Sequence, residues 1–202
     1  MPNWCDNWLQ VSGAKEEIDR FVGMGVKEGK WALSHYFPMP EELHGTSRPG
    51  VSNKELVAKY GAADWYDWNM HNYGCKWDCD TTDVKRKDTG TEVIIDFQSP
   101  WSPPVEFMHK VQAMFPQLDF RLAYMETGCW FAGVAETFRD ADTGEVEILV
   151  QDTEPEYWDE DGLIESVDID DDDAFNEYKR THEVRLVNPY EPELYYGCEP
   201  DD

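Results

Sequence analysis

The stretch that decides the fold is WCDNWLQVS, residues 4–12, whose residues alternate as expected of a strand with two different faces. One face carries Cys5, Asn7, Leu9 and Val11, and the other carries Trp4, Asp6, Trp8 and Gln10. Gly13 ends this strand, and over residues 14–24 the apolar residues recur at helical spacing. The chain therefore opens with a predicted strand followed by a predicted helix.

A helical insertion is expected after this first helix, at about residues 31–75. It begins with a long connection that contains several prolines and glycines. Ser52 and Glu55 then form a capping box, which predicts a helical segment over residues 53–73 with an interruption near Gly61. One face of this segment is predicted to carry Tyr66, Met70 and Tyr73, with Trp65 and Trp68 beside them.

The remaining elements complete a recognisable order. They are a hairpin of residues 76–85 and 91–98, a helix that starts near Ser102 and stops at Pro116, a strand over 118–124, and a hairpin that joins 130–138 to 145–150. With the insertion set aside, this is the β-α-β-β-α-β order of the ferredoxin-like motif. The predicted class is α+β, with an antiparallel sheet, both helices on one face and an added C-terminal hairpin.

Charge divides the chain into two parts. The formal net charge is -26, and residues 152–202 carry 19 acids against three bases, a balance of -16. We therefore predict a domain over residues 1–151 and an acidic extension over 152–202. The alternating THEVRLV, residues 181–187, predicts that the extension returns to the sheet. A surface this acidic repels phosphate, so direct binding to nucleic acid or an anionic membrane is disfavoured, and a partner with a basic surface is favoured.

Other sequence features indicate the cellular compartment in which the protein is expected. The chain has no apolar run of about 18 residues, which argues against a membrane span. The N-terminal MPNWCDNWLQ lacks both the basic start and the apolar stretch of a secretory signal, and the five cysteines are an odd number. Reduced thiols in a cytoplasm are the simplest interpretation.

Catalytic and metal-binding signatures are weak, and we predict no catalytic residue, cofactor or metal. His71, Cys75 and Cys79 have helical spacing, but Gly74 and the helix end predicted there spoil a zinc geometry. Two acidic segments are similar to calcium loops without completing the pattern. The first, residues 140–144, is predicted to be a hairpin turn, and the second, residues 159–162, an acidic loop.

Six short motifs together carry a family resemblance. They are NWCDNWLQVSG at 3–13, PMPEEL at 38–43, DWYDW at 64–68, NYGCKWD at 72–78, SPWSPP at 99–104 and FAG at 131–133. In number and order they resemble the YubB family, proteins of bacteriophages and plasmids built around a ferredoxin-like domain. The resemblance covers about residues 3–135 and implies fold and genomic origin more than activity. That family tends to have Thr or another small residue where Cys75 stands, so shared functional thiols are not expected.

These observations favour a protein that acts by binding rather than by catalysis. The first hypothesis is an accessory protein of phage or plasmid type that binds a host factor in the bacterial cytoplasm, for example in counter-defence. The second is an acidic mimic of nucleic acid that inhibits a host DNA- or RNA-handling enzyme, and the third is a small-ligand protein or enzyme with a site near Trp65, His71 and Trp77. The candidate partner-binding residues are Trp65, Trp68, Trp77, Asp159, Glu160, Asp161, Asp168, Asp170, Asp171, Asp172 and Asp173.

Overall fold

The computed structural model describes residues 3–46 and 53–198. Their strands and helices are β1 (Trp4–Ser12), α1 (Lys15–Gly25), β2 (Val26–Lys27), β3 (Lys30–Trp31), α2 (Lys54–Tyr60), α3 (Trp65–Asn72), β4 (Asp80–Arg86), β5 (Glu92–Pro100), α4 (Val105–Met114), β6 (Asp119–Glu126), β7 (Phe131–Arg139), β8 (Val146–Thr153), β9 (Glu156–Asp159), β10 (Gly162–Leu163), α5 (Asp172–Lys179), β11 (Val184–Asn188) and β12 (Glu191–Cys198). Two single-turn 3-10 helices, Leu33–His35 and Glu41–Leu43, lie between β3 and α2.

The main sheet has six antiparallel strands in the order β4-β5-β1-β6-β7-β8. Strands β1, β4, β5 and β6 with helices α1 and α4 form the predicted β-α-β-β-α-β unit, and the β7–β8 hairpin extends the sheet beyond β6. The predicted α+β, ferredoxin-like class with an added hairpin is confirmed.

The core follows from the two-faced character of β1. Leu9 lies opposite Ile95 of β5 on one side and opposite Leu122 of β6 on the other, and all three are fully buried. Phe21 of α1 and Phe107 of α4 belong to the same buried cluster. Burying each side chain of this size contributes roughly 1.5–3 kcal/mol, so this layer holds the helices on the sheet.

The insertion is tied to the first helix by one aromatic ring. Tyr36 packs on the Phe21 ring, with centroids 5.1 Å apart, and its hydroxyl donates a hydrogen bond to the Phe21 carbonyl oxygen at 2.8 Å. The predicted cap Ser52 lies outside the described residues, and Asn53 is the N-cap of α2. Gly61, in the left-handed conformation at φ 72°, ends that helix and produces the predicted interruption.

The acidic extension forms a second sheet, in the order β10-β9-β11-β12, with α5. The extension returns to the main sheet, as predicted, but by packing on it: its strand β11 pairs with β9 and β12 and with no strand of the main sheet. The reason is that Ile164, Phe175 and Val184 supply a small core of their own. The extension reaches the main sheet through Asn188, whose side-chain amide donates to the carbonyl oxygens of Tyr124 and Gly133 at 2.9 and 3.0 Å.

The predicted domain boundary at residue 151 falls within a strand of the main sheet. The main sheet runs past residue 151, because β8 ends only at Thr153. None of the helices in residues 3–46 and 53–198 has the length and apolar character needed to cross a bilayer.

Candidate partner-binding site

An open groove of about 520 Å³ lies where α3 faces the end of β5. Its lining residues come from three separate segments and are mainly aromatic or apolar: Trp65, Tyr66, Met70, Lys76, Pro100, Trp101 and Ser102. We call this surface the aromatic groove. Six of these residues belong to the short motifs identified in the sequence: Trp65 and Tyr66 to DWYDW, Lys76 to NYGCKWD, and Pro100, Trp101 and Ser102 to SPWSPP.

Trp101 is the most distinctive residue of the aromatic groove. Its backbone has φ 73°, in the left-handed region that a bulky residue rarely adopts, and 43% of the residue is exposed. Its N–H donates to the carbonyl oxygen of Asn3 at 3.0 Å. On either side of it, Ser99 Oγ donates to the Ser102 carbonyl oxygen at 2.7 Å and Ser102 Oγ donates to the Gly74 carbonyl oxygen at 2.8 Å. The two serines therefore fix the turn that presents the Trp101 ring.

A buried polar pair anchors that turn to the sheet. Asn7 of β1 donates through its side-chain amide to Ser99 Oγ at 2.8 Å and to the Cys5 carbonyl oxygen, also at 2.8 Å. Both Asn7 and Ser99 are buried. The polar residue within the apolar face of β1 thus supports the loop that carries Trp101.

Two more tryptophans extend the apolar surface next to the aromatic groove. The rings of Trp4 and Trp77 meet edge to face, with centroids 6.4 Å apart, and Lys76 Nζ lies 5.1 Å from the centroid of the Trp77 ring. Trp4 stands opposite Pro100 in the β1–β5 register. Exposed ring faces of this kind bind cationic and apolar side chains.

The three tryptophans predicted to bind a partner differ in where they lie. Trp65 lines the aromatic groove and Trp77 lies beside it, but Trp68 is only 7% exposed and packs edge to face on Tyr73 at 5.3 Å. Trp68 is therefore a core residue, and its assignment to a binding surface is wrong. The predicted shared face holds for Tyr66 and Met70, which both line the aromatic groove, whereas Tyr73, the C-cap of α3, is buried.

The predicted acidic residues fall into two groups with different roles. Asp159 is buried and accepts hydrogen bonds from the Tyr178 hydroxyl and the Asp161 N–H, which lower the pKa of its carboxyl group. Asp171 is the N-cap of α5 and accepts from the Ala174 N–H. These two are explained by the fold. The others are exposed: Glu160, Asp161, Asp168, Asp170, Asp172 and Asp173.

Asp172 and Asp173 lie in the first turn of α5, where negative charge is favourable. The predicted hairpin turn at residues 140–144 is confirmed, since Asp140 Oδ1 accepts from the N–H groups of Asp142 and Thr143. The predicted acidic loop is the short turn between β9 and β10.

Two of the cysteines belong to the apolar core. Cys5 and Cys75 are fully buried, and burial raises the pKa of both thiols. His71 is exposed, and since α3 ends at Asn72 the helical spacing from His71 to Cys75 is not kept. Across the part of the chain that the structure describes, no three His, Cys, Asp or Glu side chains are grouped as metal ligands.

Sequence reasoning did not select Trp101, Tyr66, Met70 or Lys76 as site residues. The available signal was the SPWSPP motif, in which one tryptophan stands between two Ser-Pro pairs. A turn held by its serines and prolines leaves the side chain between them free to face outward.

Comparison with known proteins agrees with the fold. Residues 72–168, from the end of α3 to beyond β10, match a family model described as a ferredoxin-like domain in Api92-like protein. The chain thus contains a ferredoxin-like domain, and the matched part is similar to that of Api92-like proteins. The search of curated proteins gave no match.

Among solved structures, the crystal structure of Api92 from Yersinia pseudotuberculosis aligns with a TM-score of 0.45 and 13% identity. The alignment covers 67% of this chain and 94% of that one.

Proposed function

We propose that this protein is a non-catalytic binding module of phage or plasmid type that binds a host protein through the aromatic groove. The observation that carries the proposal is Trp101, a large apolar side chain that is 43% exposed on a backbone at φ 73°. Unusual backbone conformations of this kind cost about 1–3 kcal/mol, and they cluster at ligand-binding sites. Trp130 shares the positive φ and the exposure, so what distinguishes Trp101 is its place in the aromatic groove.

The chemistry of the groove and the charge of the chain indicate the kind of partner. Tryptophan faces attract Lys and Arg side chains through cation–π interactions. A net charge of -26 draws basic surfaces toward the protein and speeds their association. The proposed partner therefore has a basic surface and inserts a cationic or aromatic anchor into the aromatic groove.

The genomic setting and the lack of catalysis are further parts of the proposal. The six motifs that resemble the YubB family support a phage or plasmid origin, with the bacterial cytoplasm as the site of action. Binding rather than catalysis is part of the proposal; among the thiols, those of Cys5 and Cys75 are poor nucleophiles, because both are buried and burial raises their pKa.

Affinity capture with matched variants tests this function. Wild-type protein, Trp101→Ala and Trp130→Ala serve as baits in extracts of a bacterial host. Trp130 is a suitable control because it also is exposed, at φ 58°, but it does not line the aromatic groove and packs on Tyr157 at 5.8 Å. We expect one host protein to be captured by the wild type and the control and lost with Trp101→Ala at unchanged melting temperature. Equal capture by all three baits, or no capture above background, contradicts the proposal.

Nucleic-acid mimicry is a second candidate, favoured by the six exposed acids held on the folded extension. Its test replaces these acids by Asn and Gln and leaves Asp159 and Asp171 unchanged, because those two support the fold. If mimicry is right, this variant loses a salt-sensitive interaction that Trp101→Ala retains. If the aromatic groove is the site, the neutralised variant binds the same protein more weakly but still binds it.

A small-ligand site in the aromatic groove is the third candidate, since about 520 Å³ lies within the range of small-molecule pockets. A metabolite or nucleotide that stabilises the wild type in a melting screen, and not Trp101→Ala, would favour it over a protein partner.

A further inference from the structure

Strand β8 forms one edge of the main sheet, and no strand in the described residues pairs with its outer side. It is eight residues long, its sequence VEILVQDT contains no Pro, Lys or Arg, and its register with β7 runs without a shift from Val146 to Thr153. A long, regular edge strand offers a row of free backbone donors and acceptors to another strand.

The opposite edge of the sheet is protected in the usual ways. Strand β4 has a register shift between Thr81 and Asp83. Its Lys85 pairs with Asp96 at 2.9 Å, and its Arg86 pairs with Asp19 of α1 at 2.6 Å. Charged side chains and irregular pairing both discourage strand addition. The two edges therefore differ: β8 has no register shift and no basic residue, and its charged side chains are those of Glu147 and Asp152.

The side chains of β8 are also unusual for a solvated edge. Leu149 is 38% exposed and Val150 is 41% exposed, and strand alternation places them on opposite faces of the sheet. A cleft of about 280 Å³ lies between β8 and α4, with Val146 and Ile148 in its lining. An added strand would cover apolar surface on both faces.

We infer that β8 pairs antiparallel with the β8 of a second copy of this chain, which joins two six-stranded sheets into one. The argument for a second copy is that two β8 strands, paired antiparallel with Leu149 at the centre, place compatible side chains opposite each other. The facing pairs are then Leu149 with Leu149, Ile148 with Val150, Glu147 with Gln151 and Val146 with Asp152. The three central residues, Ile148, Leu149 and Val150, then meet apolar side chains, and neither acid faces another acid.

Charge sets the expected salt dependence of this dimer. Two chains of net charge -26 repel each other at long range, and added salt screens that repulsion. Self-association should therefore strengthen as salt is raised. A basic partner bound at the same edge would bind more weakly as salt is raised. The salt dependence of binding therefore distinguishes a second copy of this chain from a basic partner. This inference does not depend on the proposed function of the aromatic groove.

The first test is sedimentation equilibrium of the full chain at low and high salt. We expect a reversible dimer that is tighter at high salt, and Leu149→Lys should weaken it at least about tenfold, since it places like charges opposite each other. Leu163→Lys, at another exposed leucine, serves as the control and should leave the dimer unchanged. A chain that stays monomeric up to about 100 µM, a range that covers weak dimers, or a dimer insensitive to Leu149→Lys, overturns the inference.

A second test reads the register and stays informative if Leu149→Lys fails to fold. In a background with Cys129 and Cys198 replaced by Ser, Leu149→Cys should form an intermolecular disulfide under mild oxidation. Directly opposite residues of an antiparallel pair have Cα atoms about 4.5–5.5 Å apart, within disulfide range. Gln151→Cys should cross-link much more slowly, because Glu147 faces it. Equal or reversed cross-linking rates overturn the proposed pairing.

Discussion

A methyl group added at Gly25 should destabilise the protein by disrupting the attachment of the insertion. Gly25 is the last residue of α1, and a Cβ atom placed there would lie 2.0 Å from Tyr36 Oη and 2.5 Å from the ring carbon that bears it. These distances are far below van der Waals contact, so Gly25→Ala must displace Tyr36. The substitution therefore tests whether this tyrosine really sits against the first helix.

The cost follows from what Tyr36 loses when it moves. Its hydroxyl donates to the Phe21 carbonyl oxygen at 2.8 Å and accepts from Trp31 Nε1 at 3.2 Å, and all three residues are buried. Leaving a buried polar group unpaired costs about 1–3 kcal/mol, and overpacking a core adds about 1–3 kcal/mol. We expect Gly25→Ala to lower the free energy of unfolding by about 2–6 kcal/mol.

Urea unfolding followed by circular dichroism measures the loss. With an m value of about 2–3 kcal/mol/M, the midpoint should fall by about 1–3 M. Gly23→Ala is the matched control, because Gly23 lies in the same helix and an added Cβ would meet no heavy atom within 4 Å. It should stabilise the protein by about 0.5–1 kcal/mol through helix propensity. A Gly25→Ala midpoint at or above that of the wild type would refute the placement of Tyr36.

Three further predictions test other parts of the structure. Gly133→Ala should destabilise the protein by about 1–3 kcal/mol in urea titrations, because its Cβ would lie 2.4 Å from the Tyr124 hydroxyl oxygen. Cys129 is exposed, so Cys129→Ser should remove one equivalent of native-state reaction with a thiol reagent; since the Glu126 carboxylate raises the pKa of this thiol, the wild-type reaction should quicken above neutral pH. The Tyr178 hydroxyl lowers the pKa of Asp159, so the ionised carboxylate stabilises the fold above the unfolded pKa of about 3.9, and this contribution is lost as the pH falls through the lower folded value. Tyr178→Phe should therefore flatten the decrease of melting temperature on the acid side.

The centre of the main sheet could be predicted because buried and more exposed residues alternate along its strands β1 and β5. In β1 the residues predicted to face one side, such as Leu9 and Val11, are those that the structure buries. In a strand with one apolar face and one polar face, apolar and polar residues alternate in the sequence. A shift of the strand pairing by one residue would turn the apolar face toward solvent. The hairpin of β7 and β8 was predictable from its Asp- and Gly-containing turn, although burial does not alternate along either strand.

Other parts of the structure produce no regular pattern of apolar and polar residues in the sequence. Helix α3 has eight residues with aromatic side chains on several sides, so its period does not reveal that Trp68 rather than Tyr66 faces the core. Strands β9 and β10 have four and two residues, too few to show alternation, and the second sheet was missed. The aromatic groove joins residues 65–76 to residues 100–102, and only the folded chain brings these segments together.

Site-specific photo-crosslinking tests the central claim most directly. Benzoylphenylalanine is placed at Trp101 in the aromatic groove or at Leu163, an exposed residue of the acidic extension, and the protein is irradiated in host cells. The proposed function predicts a cross-linked host protein from position 101 and none from position 163. A cross-link from position 163 alone would contradict the account and assign binding to the acidic extension.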